Sequence, residues 1–306
     1  MDVSVVIVNW NVRELLRRCL LSLDKGGETR APTFEVMVVD CASSDGSADM
    51  VQREFPWVRL IASQENLGYA RGNNRGMAAA SGRYLLVLNP DTELVGDALG
   101  VMVRYLDEQP EVGALGPALR YPDGTLQSSR RRFPTPATAF WESTLLHQWF
   151  PNNRIARRYH MADRPADMPQ PVDWLVGAAL MMRREVWQQV GPLDEGFFMY
   201  FEELDWCRRC RAAGWEIHYL PAAEVMHYEG KSSEQIVTAR IVRFQRSKIR
   251  YFAKYYGPGW ALAIHLFLLG TFAFQLGEEG LKWLAGHKRK LRRERMAAYW
   301  QVLQRM

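Results

Sequence analysis

Hydrophobic and polar positions follow one another in blocks along the first ninety residues. Four apolar, partly β-branched runs have the length of strands: residues 3–8, 35–39, 58–62 and 84–88. The segments between them carry apolar residues at helical spacing: residues 13–23, 49–55 and about 73–80. Because strands alternate with helices, the pattern predicts an α/β fold with a Rossmann-like, mostly parallel sheet and right-handed crossovers.

Polar side chains follow three of these predicted strands. Asn9 follows the first strand, Asp40 ends the second, and Asn89 and Asp91 follow the fourth. Since the carboxyl ends of parallel strands meet at one edge, we expect these groups together at a nucleotide-binding edge. Asp91 is placed to hold a divalent cation or a ribose, although Asn-Pro-Asp-Thr is also good turn chemistry.

The stretch of residues 65–76 reads ENLGYARGNNRG and places glycines at every fourth position around a predicted helix start. Free N–H groups at a helix start favour anions, and Arg71 would add a cation beside a diphosphate. Close packing of small residues explains the glycines about as well, but it does not explain the Arg-Gly-Asn-Asn run that contains Asn73.

Several other classes of protein are disfavoured. No G-x-G-x-x-G follows the first predicted strand, and the chain has no G-x-x-x-x-G-K-[ST], which argues against dinucleotide enzymes and P-loop NTPases. The four cysteines do not suggest a disulfide framework, and no secretory signal precedes the first strand, so we expect a cytosolic body with packed thiols. Cys207 and Cys210 have zinc-like spacing but lack a second such pair.

The second half of the chain carries a cluster of acids. Glu202, Glu203 and Asp205 open a predicted helix that continues through residue 211. The helix dipole favours acids in a first helical turn, and this effect alone would explain Glu202 and Asp205. Glu203, next to an aromatic stretch, is the candidate general base. His227 follows the strand-like residues 216–220, and a lone histidine there is either a ligand or an ordinary core or surface residue.

Seven ordered motifs resemble the family 2 glycosyltransferases of the GT-A fold, in particular bacterial rhamnosyltransferase-like members that build cell-wall or surface polysaccharides. They are VSVVIVNWN, VVDCASSDGS, ENLGYARGNNRG, LLVLNPDTE, VDWLVGAALMMRREVW, GFFMYFEELDWCRR and AAEVMHYEGKS. The resemblance covers residues 2–256, and seven motifs in order are more specific than any one of them.

The resemblance implies a dTDP- or UDP-sugar donor, a divalent metal (Mg²⁺ or Mn²⁺) and transfer with inversion. It implies that Asp40 holds the base, that Asn89-Pro90-Asp91 stands at the acidic metal site with Asp91 as its main carboxylate, and that His227 is a further metal ligand. Glu203 is the implied base, where the family normally has Asp. The implied substrate-binding residues are Asn9, Asp40, Arg71, Asn73, Asn89, Trp174, Gly177, Glu202 and Asp205.

The predicted organisation is a glycosyltransferase domain over residues 1–256, with a nucleotide-binding half to about residue 93 and an acceptor half from about 94. An apolar helix and a basic tail follow over 257–306. Residues 282–306 contain eight Lys or Arg and one Glu, so the formal charge of +5 is concentrated at this end. A local basic segment on a nearly neutral body suggests anionic membrane lipid and not nucleic acid as a partner.

The apolar stretch of residues 260–276 bears on how the chain meets a membrane. Seventeen helical residues span roughly 26 Å, short of the approximately 30 Å of a hydrocarbon core. A single span would also put the basic tail on the far side from a cytosolic enzyme. We therefore predict a helix embedded in the membrane interface, with a core helix or a homo-oligomer contact as the alternatives.

The expected function is transfer of a sugar, rhamnose by resemblance alone, to a hydroxyl of a cell-wall, surface-polysaccharide or lipid-linked glycan acceptor at the cytoplasmic face of the plasma membrane. A good leaving group such as a nucleotide diphosphate needs no protonating acid, so one base suffices. The competing expectation is a non-catalytic nucleotide-sugar-binding subunit of a membrane assembly complex. A nucleotidyltransferase ranks lower, because no Gly-rich basic loop follows the first strand.

Overall fold

The computed structural model describes residues 1–24, 32–143, 150, 153–228, 237–286 and 288–306, which form two compact units. The sheet unit comprises Met1–Phe133, His160–Phe198 and Glu202–Ser232. The helical unit comprises Pro134–Tyr159, Met199–Phe201 and Ser233–Met306. Residues 237–256 therefore group with the C-terminal helices, whereas the sequence suggested a domain boundary at residue 256. That boundary stays a prediction, because compactness and family membership divide a chain by different criteria.

The elements alternate as the hydrophobic pattern predicts. The strands are β1 (Val3–Asn9), β2 (Phe34–Cys41), β3 (Arg59–Ser63), β4 (Tyr84–Leu88), β5 (Thr92–Val95), β6 (Val112–Arg120), β7 (Arg130–Arg131), β8 (Gln170–Pro171), β9 (Trp174–Leu175), β10 (Ala179–Arg183) and β11 (Glu216–His227). The helices are α1 (Arg13–Asp24), α2 (Ser47–Glu54), α3 (Gly68–Ala79), α4 (Ala98–Glu108), α5 (Pro136–Glu142), α6 (Arg154–Tyr159), α7 (Arg184–Val190), α8 (Glu202–Ala212), α9 (Val237–Tyr256), α10 (Pro258–Leu284) and α11 (Arg289–Arg305).

The main sheet has the order β3-β2-β1-β4-β10-β6-β11-β5, with β8 paired to β11. Strands β1 to β4 are mutually parallel, β6 and β11 are parallel, and β10, β5 and β8 run antiparallel to their neighbours. Asn9 lies opposite Asp40, and Ile7 lies opposite Leu88. The register thus brings the ends of β1, β2 and β4 to one edge and confirms the predicted α/β class.

The central strands are buried on both faces, which explains why they read as continuous apolar runs. Every residue of β1 and of β4 is buried. Helices α1 and α4 contribute Leu16, Leu20 and Met102 to the core on one side of the sheet. The four cysteines are all free and buried, as predicted for packed thiols.

Helix α3 begins at Gly68, five residues before the predicted start, and its glycines serve packing. A Cβ on Gly72 would lie 2.9 Å from Val8 Cγ1, and one on Gly76 would overlap Val6. Gly68 has φ +74°, and a Cβ there would collide with the carbonyl oxygen of Phe198. These glycines let the helix lie close on the sheet, so the packing explanation accounts for them.

The apolar helix α10 has 27 residues, where the sequence predicted 17. At 1.5 Å per residue it is about 40 Å long. By length and composition it can cross a membrane, with a mean hydropathy of 1.6 in its apolar window. The predicted helix length, and with it the argument that the helix is too short to span a membrane, is therefore wrong. The helix continues beyond residue 276 through Glu278 and Glu279.

Candidate functional site

The ends of β1 and β2 form a polar cluster at the edge of the sheet unit. Asn9 Nδ2 donates to Asp40 Oδ1 at 2.9 Å and to Ser43 Oγ at 3.1 Å, and the Ser43 N–H donates to Asp40 Oδ2 at 3.0 Å. Asn9 and Asp40 are both buried. Within the described residues, Asn9 Oδ1 has no hydrogen-bond partner. The cluster is thus a fixed polar surface with one acceptor left over for a ligand.

The loop after β2 is held by its own turn chemistry. Asp45 accepts from the Arg13 N–H at 2.8 Å and from the Ser47 N–H at 3.0 Å. Burial raises the pKa of Asp45, but hydrogen bonds from Ser47 and the backbone outweigh it and hold the pKa below its usual value. Asn11, at φ 54°, accepts from the Ser44 N–H at 2.7 Å. Asp45 and Ser47 therefore have the structural roles that turn chemistry suggests.

Helix α3 presents its two predicted site residues differently. Asn73 is fully buried, its Nδ2 donates to the Tyr69 carbonyl at 3.0 Å, and its Oδ1 has no partner among the described residues. Arg71 is half exposed and pairs with Glu65 at 2.9 Å. Asn74 was not predicted from the sequence. Its Oδ1 accepts from the Leu193 N–H at 2.9 Å and its Nδ2 donates to the Leu193 carbonyl at 2.8 Å, so it ties α3 to the segment that contains Leu193.

Asp91 and His227 meet because β5 pairs with β11. In that antiparallel register His227 lies opposite Thr92, and the Tyr228 N–H donates to the Asp91 carbonyl at 2.9 Å. Both side chains are buried, and His227 Nε2 lies 3.5 Å from Asp91 Oδ1. Asp91 Oδ1 has no hydrogen-bond partner among the described residues. The structure thus brings together two residues that are 136 positions apart in the sequence.

Gln127 fixes the orientation and tautomer of His227. Its Nε2 donates to the His227 carbonyl at 2.8 Å, so its Oε1 must face His227 Nδ1, at 2.9 Å. An amide oxygen can only accept, so Nδ1 carries a proton, and the neutral form of this ring then has its lone pair on Nε2, the nitrogen that faces Asp91. An imidazole held in this way is prepared to bind a metal through Nε2.

The acids of α8 lie in contrasting environments. Glu202 is buried, and burial followed by the charge of Glu203 raises its pKa well above the ordinary value. Asp205 is fully buried and accepts from Arg209 Nε at 2.9 Å, while Arg209 also donates to the Val190 carbonyl at 2.7 Å. Asp205 therefore anchors α8 to the end of α7. Glu203 is only partly buried, as a group that must reach a substrate should be.

Tyr69 connects the acids of α8 with the end of β4. Its one hydroxyl proton lies within reach of two acceptors, Asn89 Oδ1 at 2.8 Å and the Gly177 carbonyl at 2.7 Å. Burial raises the pKa of Tyr69 well above its usual value, and the charges of Glu202, Glu203 and Asp91 raise it further. The hydroxyl therefore lies close enough to the candidate base Glu203 and the candidate metal ligand Asp91 to be affected by the charge of both.

The remaining predicted residues are Trp174 and Gly177. Trp174 lies in β9, which pairs with β7, and its Nε1 donates to the Arg132 carbonyl at 3.0 Å. Gly177 lies against Glu203: a Cβ at this position would be 3.2 Å from Glu203 Cγ. Gly177 thus leaves room for the side chain of the candidate base.

Tyr69 and Gln127 were missed from the sequence. Tyr69 lies inside the ENLGYARG motif, and this position is a signal by which it could have been predicted as a site residue. Gln127 has no comparable signal, because only the fold brings it to His227. Among the described residues, no three His, Cys, Asp or Glu side chains cluster as a metal-binding group. The protein offers the pair Asp91 and His227 instead.

The comparison with known families decides what this sheet edge belongs to. The family described as "Glycosyl transferase family 2" matches residues 4–190, more than half of the chain. The chain belongs to glycosyl transferase family 2. The resemblance inferred from the seven motifs is therefore confirmed.

Relatives within the family have related names. The N-acetylglucosaminyl-diphospho-decaprenol L-rhamnosyltransferase of Mycobacterium tuberculosis is 30% identical over 282 residues, which cover 89% of this chain and 90% of that protein. The Rhamnosyltransferase WbbL of Escherichia coli is 27% identical over 195 residues, covering 61% of this chain and 70% of that protein. The chain is thus similar to bacterial rhamnosyltransferases.

Solved glycosyltransferase structures share the fold. The mannosyltransferase PcManGT of Pyrobaculum calidifontis, solved with GDP-Man and Mn²⁺, matches with a TM-score of 0.57 at 18% identity, covering 99% of this chain and 85% of that one. GalNAc-T7, solved with UDP, GalNAc and Mn²⁺, matches with a TM-score of 0.56 at 16% identity, covering 83% and 50%. These likenesses confirm the predicted GT-A fold.

Proposed function

We propose that this family 2 member is an inverting, metal-dependent glycosyltransferase that moves a sugar, rhamnose first among the candidates, from a dTDP- or UDP-sugar to a lipid-linked glycan acceptor. The observation that supports this proposal most strongly is that three features lie at one edge of the sheet. They are the buried polar cluster of Asn9 and Asp40, the Asp91–His227 pair, and the partly exposed Glu203. The near full-length similarity to a rhamnosyltransferase whose printed name includes a diphospho-decaprenol acceptor supports the sugar and the acceptor.

The nucleotide binds along the ends of β1 and β2 in this proposal. Asp40 accepts from a base N–H, and Asn9 presents the acceptor oxygen that lacks a partner among the described residues. Asn73 Oδ1, also buried without a described partner, offers a further acceptor nearby on α3. Arg71 would need to leave Glu65 to reach a diphosphate, and their exposure makes that exchange inexpensive.

Asp91 and His227 fit a divalent metal. The carboxylate oxygen that lacks a described partner faces an imidazole whose Nε2 lone pair is directed at it by Gln127. Two protein ligands are few for a resident metal, but donor diphosphate oxygens complete such a site. An Asp and His pair accepts Mn²⁺ more readily than Mg²⁺, since imidazole suits softer metals. A bound metal would neutralise charge that develops on the leaving diphosphate.

Glu203 acts as the general base. It takes the proton of an acceptor hydroxyl as that oxygen attacks the anomeric carbon opposite the departing diphosphate, which inverts the configuration. Burial, followed by the charge of Glu203, raises the pKa of Glu202 well above its ordinary value, so Glu202 is the poorer candidate for the charged base. Glu203 is the proposed proton acceptor.

The acceptor and the apolar helix suggest where the protein works. A lipid-linked acceptor requires access to a membrane, and α10 is apolar and long enough to provide membrane contact. We place the enzyme at the cytoplasmic face of the plasma membrane, where nucleotide sugars are made. A non-catalytic binding subunit is not favoured, because the relatives are named as transferases and the chain retains Asp91, Glu203 and His227.

The test compares Glu203→Gln with wild type in two assays. We expect the variant to retain donor affinity, measured by calorimetry with Mn²⁺, and to lose at least a hundredfold in the rate of sugar transfer to a lipid-linked acceptor, because the base is removed and the metal site is intact. Glu185→Gln, an exposed carboxylate on α7, is the matched control and should leave both quantities unchanged. An unaffected rate in Glu203→Gln would remove Glu203 from the mechanism.

A further inference from the structure

One side of α10 is an apolar stripe that runs from end to end of the helix. Its large apolar residues recur at intervals of three, four, seven and eight positions, which places them on one helical face. The large members are strongly exposed: Leu262 at 58%, Leu266 at 58%, Phe274 at 62%, Leu281 at 70% and Leu284 at 68%. Only 22% of the apolar window of the helix is buried. We call these five residues the outer stripe.

The opposite side of α10 is covered by protein along its length. Near the start, Phe140 of α5 contacts Trp260 and Phe267 at ring-centroid distances of 6.3 and 4.9 Å. At the middle, Phe272 packs with Val242 of α9 and Val302 of α11. Helix α10 is thus the outer member of a packed helical layer, and α9 and α11 lie alongside it.

An ion pair holds α11 against the second half of α10. Glu279 is buried, and both its oxygens accept from Arg292 at 2.8 Å, while Arg295 approaches at 3.3 Å. Burial raises the pKa of Glu279, but the hydrogen bonds from Arg292 and Arg295 outweigh it and lower the pKa. A buried carboxylate of this kind requires its partners, so α11 cannot leave α10 without a large cost.

These neighbours argue against a transmembrane orientation, although α10 is long enough for one. If the middle of α10 lay at the centre of a bilayer, Val242 and Val302 would lie there too, because they pack on Phe272. The exposed Arg240 and Arg305 stand within a turn of those two valines. Cations at the centre of the hydrocarbon are strongly disfavoured, so the covered face must remain outside the bilayer core.

The charge around the outer stripe indicates what covers it. The exposed charged side chains at the start of α11 are mostly basic: Lys288, Arg289, Lys290 and Arg293 are exposed, with Glu294 as the one exposed acid among residues 288–294. The Arg289 guanidinium lies 5.7 Å from the ring centroid of Trp283, which is exposed near the end of α10. Exposed Trp residues beside apolar and basic ones are typical of segments that lie at a membrane interface. A second copy of the same basic surface would instead be repelled.

We propose that α10 lies in the plane of an anionic phospholipid surface, with the outer stripe embedded at the boundary between headgroups and acyl chains, and does not cross the bilayer. Lys288, Arg289, Lys290 and Arg293 bind the lipid phosphates. Helices α5, α9 and α11 remain on the aqueous side of α10. This arrangement is carried by the helical unit alone and does not rest on the proposed catalytic function.

Flotation of the full chain with vesicles tests the partner. We expect binding to phosphatidylcholine vesicles that contain phosphatidylglycerol, and at least tenfold weaker binding to pure phosphatidylcholine. Leu266→Gln and the pair Lys290→Gln with Arg293→Gln should each lower the affinity for anionic vesicles several-fold. Leu21→Gln, at an exposed leucine of α1 in the sheet unit, is the matched control and should bind like wild type. Thermal melting checks that each variant is folded.

Nitroxide labels at two residues of the outer stripe and at Gly270, which lies between them, test the orientation. The native cysteines are all buried, so cysteines introduced at Leu262, Gly270 and Leu281 can be labelled selectively. No atom lies within 4 Å of a Cβ built on Gly270. Leu262 and Leu281 are about 28 Å apart along the helix. A helix in the membrane plane places all three labels at the same depth to within a few ångströms.

Three results would overturn the proposal. A label at Gly270 that is deeper by roughly 10 Å than those at Leu262 and Leu281 would show that α10 spans the bilayer. Binding that is equal with and without phosphatidylglycerol would exclude the basic contact. A lipid-free dimer that Leu266→Gln converts to a monomer would show that a second copy covers the stripe.

Discussion

The contact between Gly177 and Glu203 gives a direct way to move the candidate base without changing its chemistry. A Cβ at position 177 would lie 3.2 Å from Glu203 Cγ and 3.4 Å from its Cβ and Cδ. Ordinary contacts between carbon atoms begin at about 3.5 Å. Gly177→Ala therefore forces the Glu203 side chain to shift by a few tenths of an ångström, and the backbone at 177 needs no left-handed conformation.

The size of the expected effect follows from that shift. A misplacement of about 1 Å costs on the order of a hundredfold in rate, so a shift of about 0.3–0.5 Å should cost about three- to tenfold in kcat. This corresponds to about 0.7–1.4 kcal/mol in the activation free energy. Donor affinity should stay the same, because the three atoms nearest to the added methyl group all belong to Glu203, and none belongs to Asp40, Asp91 or His227.

The assay is initial-rate sugar transfer at saturating donor, with the donor Kd measured separately. Gly270→Ala is the matched control: it adds the same methyl group where no atom lies within 4 Å, and it should leave kcat unchanged. A Gly177→Ala variant with wild-type kcat, or one that loses donor affinity instead of rate, would refute the idea that Gly177 positions Glu203.

Three further predictions concern groups around the site and the helical unit. Gln127→Met should raise the Mn²⁺ concentration needed for half-maximal activity about tenfold or more, because His227 loses the partner that fixes its tautomer; a metal titration of activity checks this. Tyr69→Phe should lower kcat several-fold with little change in donor KM, since its hydroxyl joins Asn89 to the Gly177 loop. Glu279→Gln should lower the free energy of unfolding at pH 7, and the decrease should be much smaller at pH 3. The lowered pKa of the Glu279 carboxyl gives stability that is lost as the pH falls. Urea titrations at both pH values measure the difference.

Glu202 offers a separate test through pH. Its folded pKa is raised above the ordinary 4.5, so its contribution to stability is present below that value and is lost as the pH rises. Glu202→Gln, which mimics the protonated form, should therefore gain stability relative to wild type as the pH rises above 4.5. Equal pH profiles of the unfolding free energy for the two proteins would mean that Glu202 is not held in its protonated form.

Much of the sheet unit could be predicted from local pattern. The four runs that precede residue 90 lie within one or two residues of β1 to β4. For β1 and β4 the reason is that a strand buried along its whole length must be apolar throughout. The polar strand ends Asn9 and Asp40 were predicted to meet, and they do, since the register of parallel neighbours fixes it. Asp91 and His227 were brought to one site only through the family resemblance.

What the sequence missed depends on contacts between distant segments. Gln127 reaches His227 across 100 positions, and no local pattern marks it. The length of α10 was underestimated because the apolar run in the sequence is followed by two acids, Glu278 and Glu279. Glu is a good helix former, so neither acid ends the helix, which continues to Leu284, and Glu279 pairs with Arg292.

The most direct measurement is release of nucleoside diphosphate from a panel of UDP-, dTDP- and GDP-sugars by the purified protein, with Mn²⁺, Mg²⁺ or chelator, and with or without a membrane lipid extract. The account predicts release from one dTDP- or UDP-sugar that needs the metal, increases with the lipid extract and disappears in Glu203→Gln. Tight, metal-dependent nucleotide binding without release from any donor, even with lipid-linked acceptor present, would contradict it.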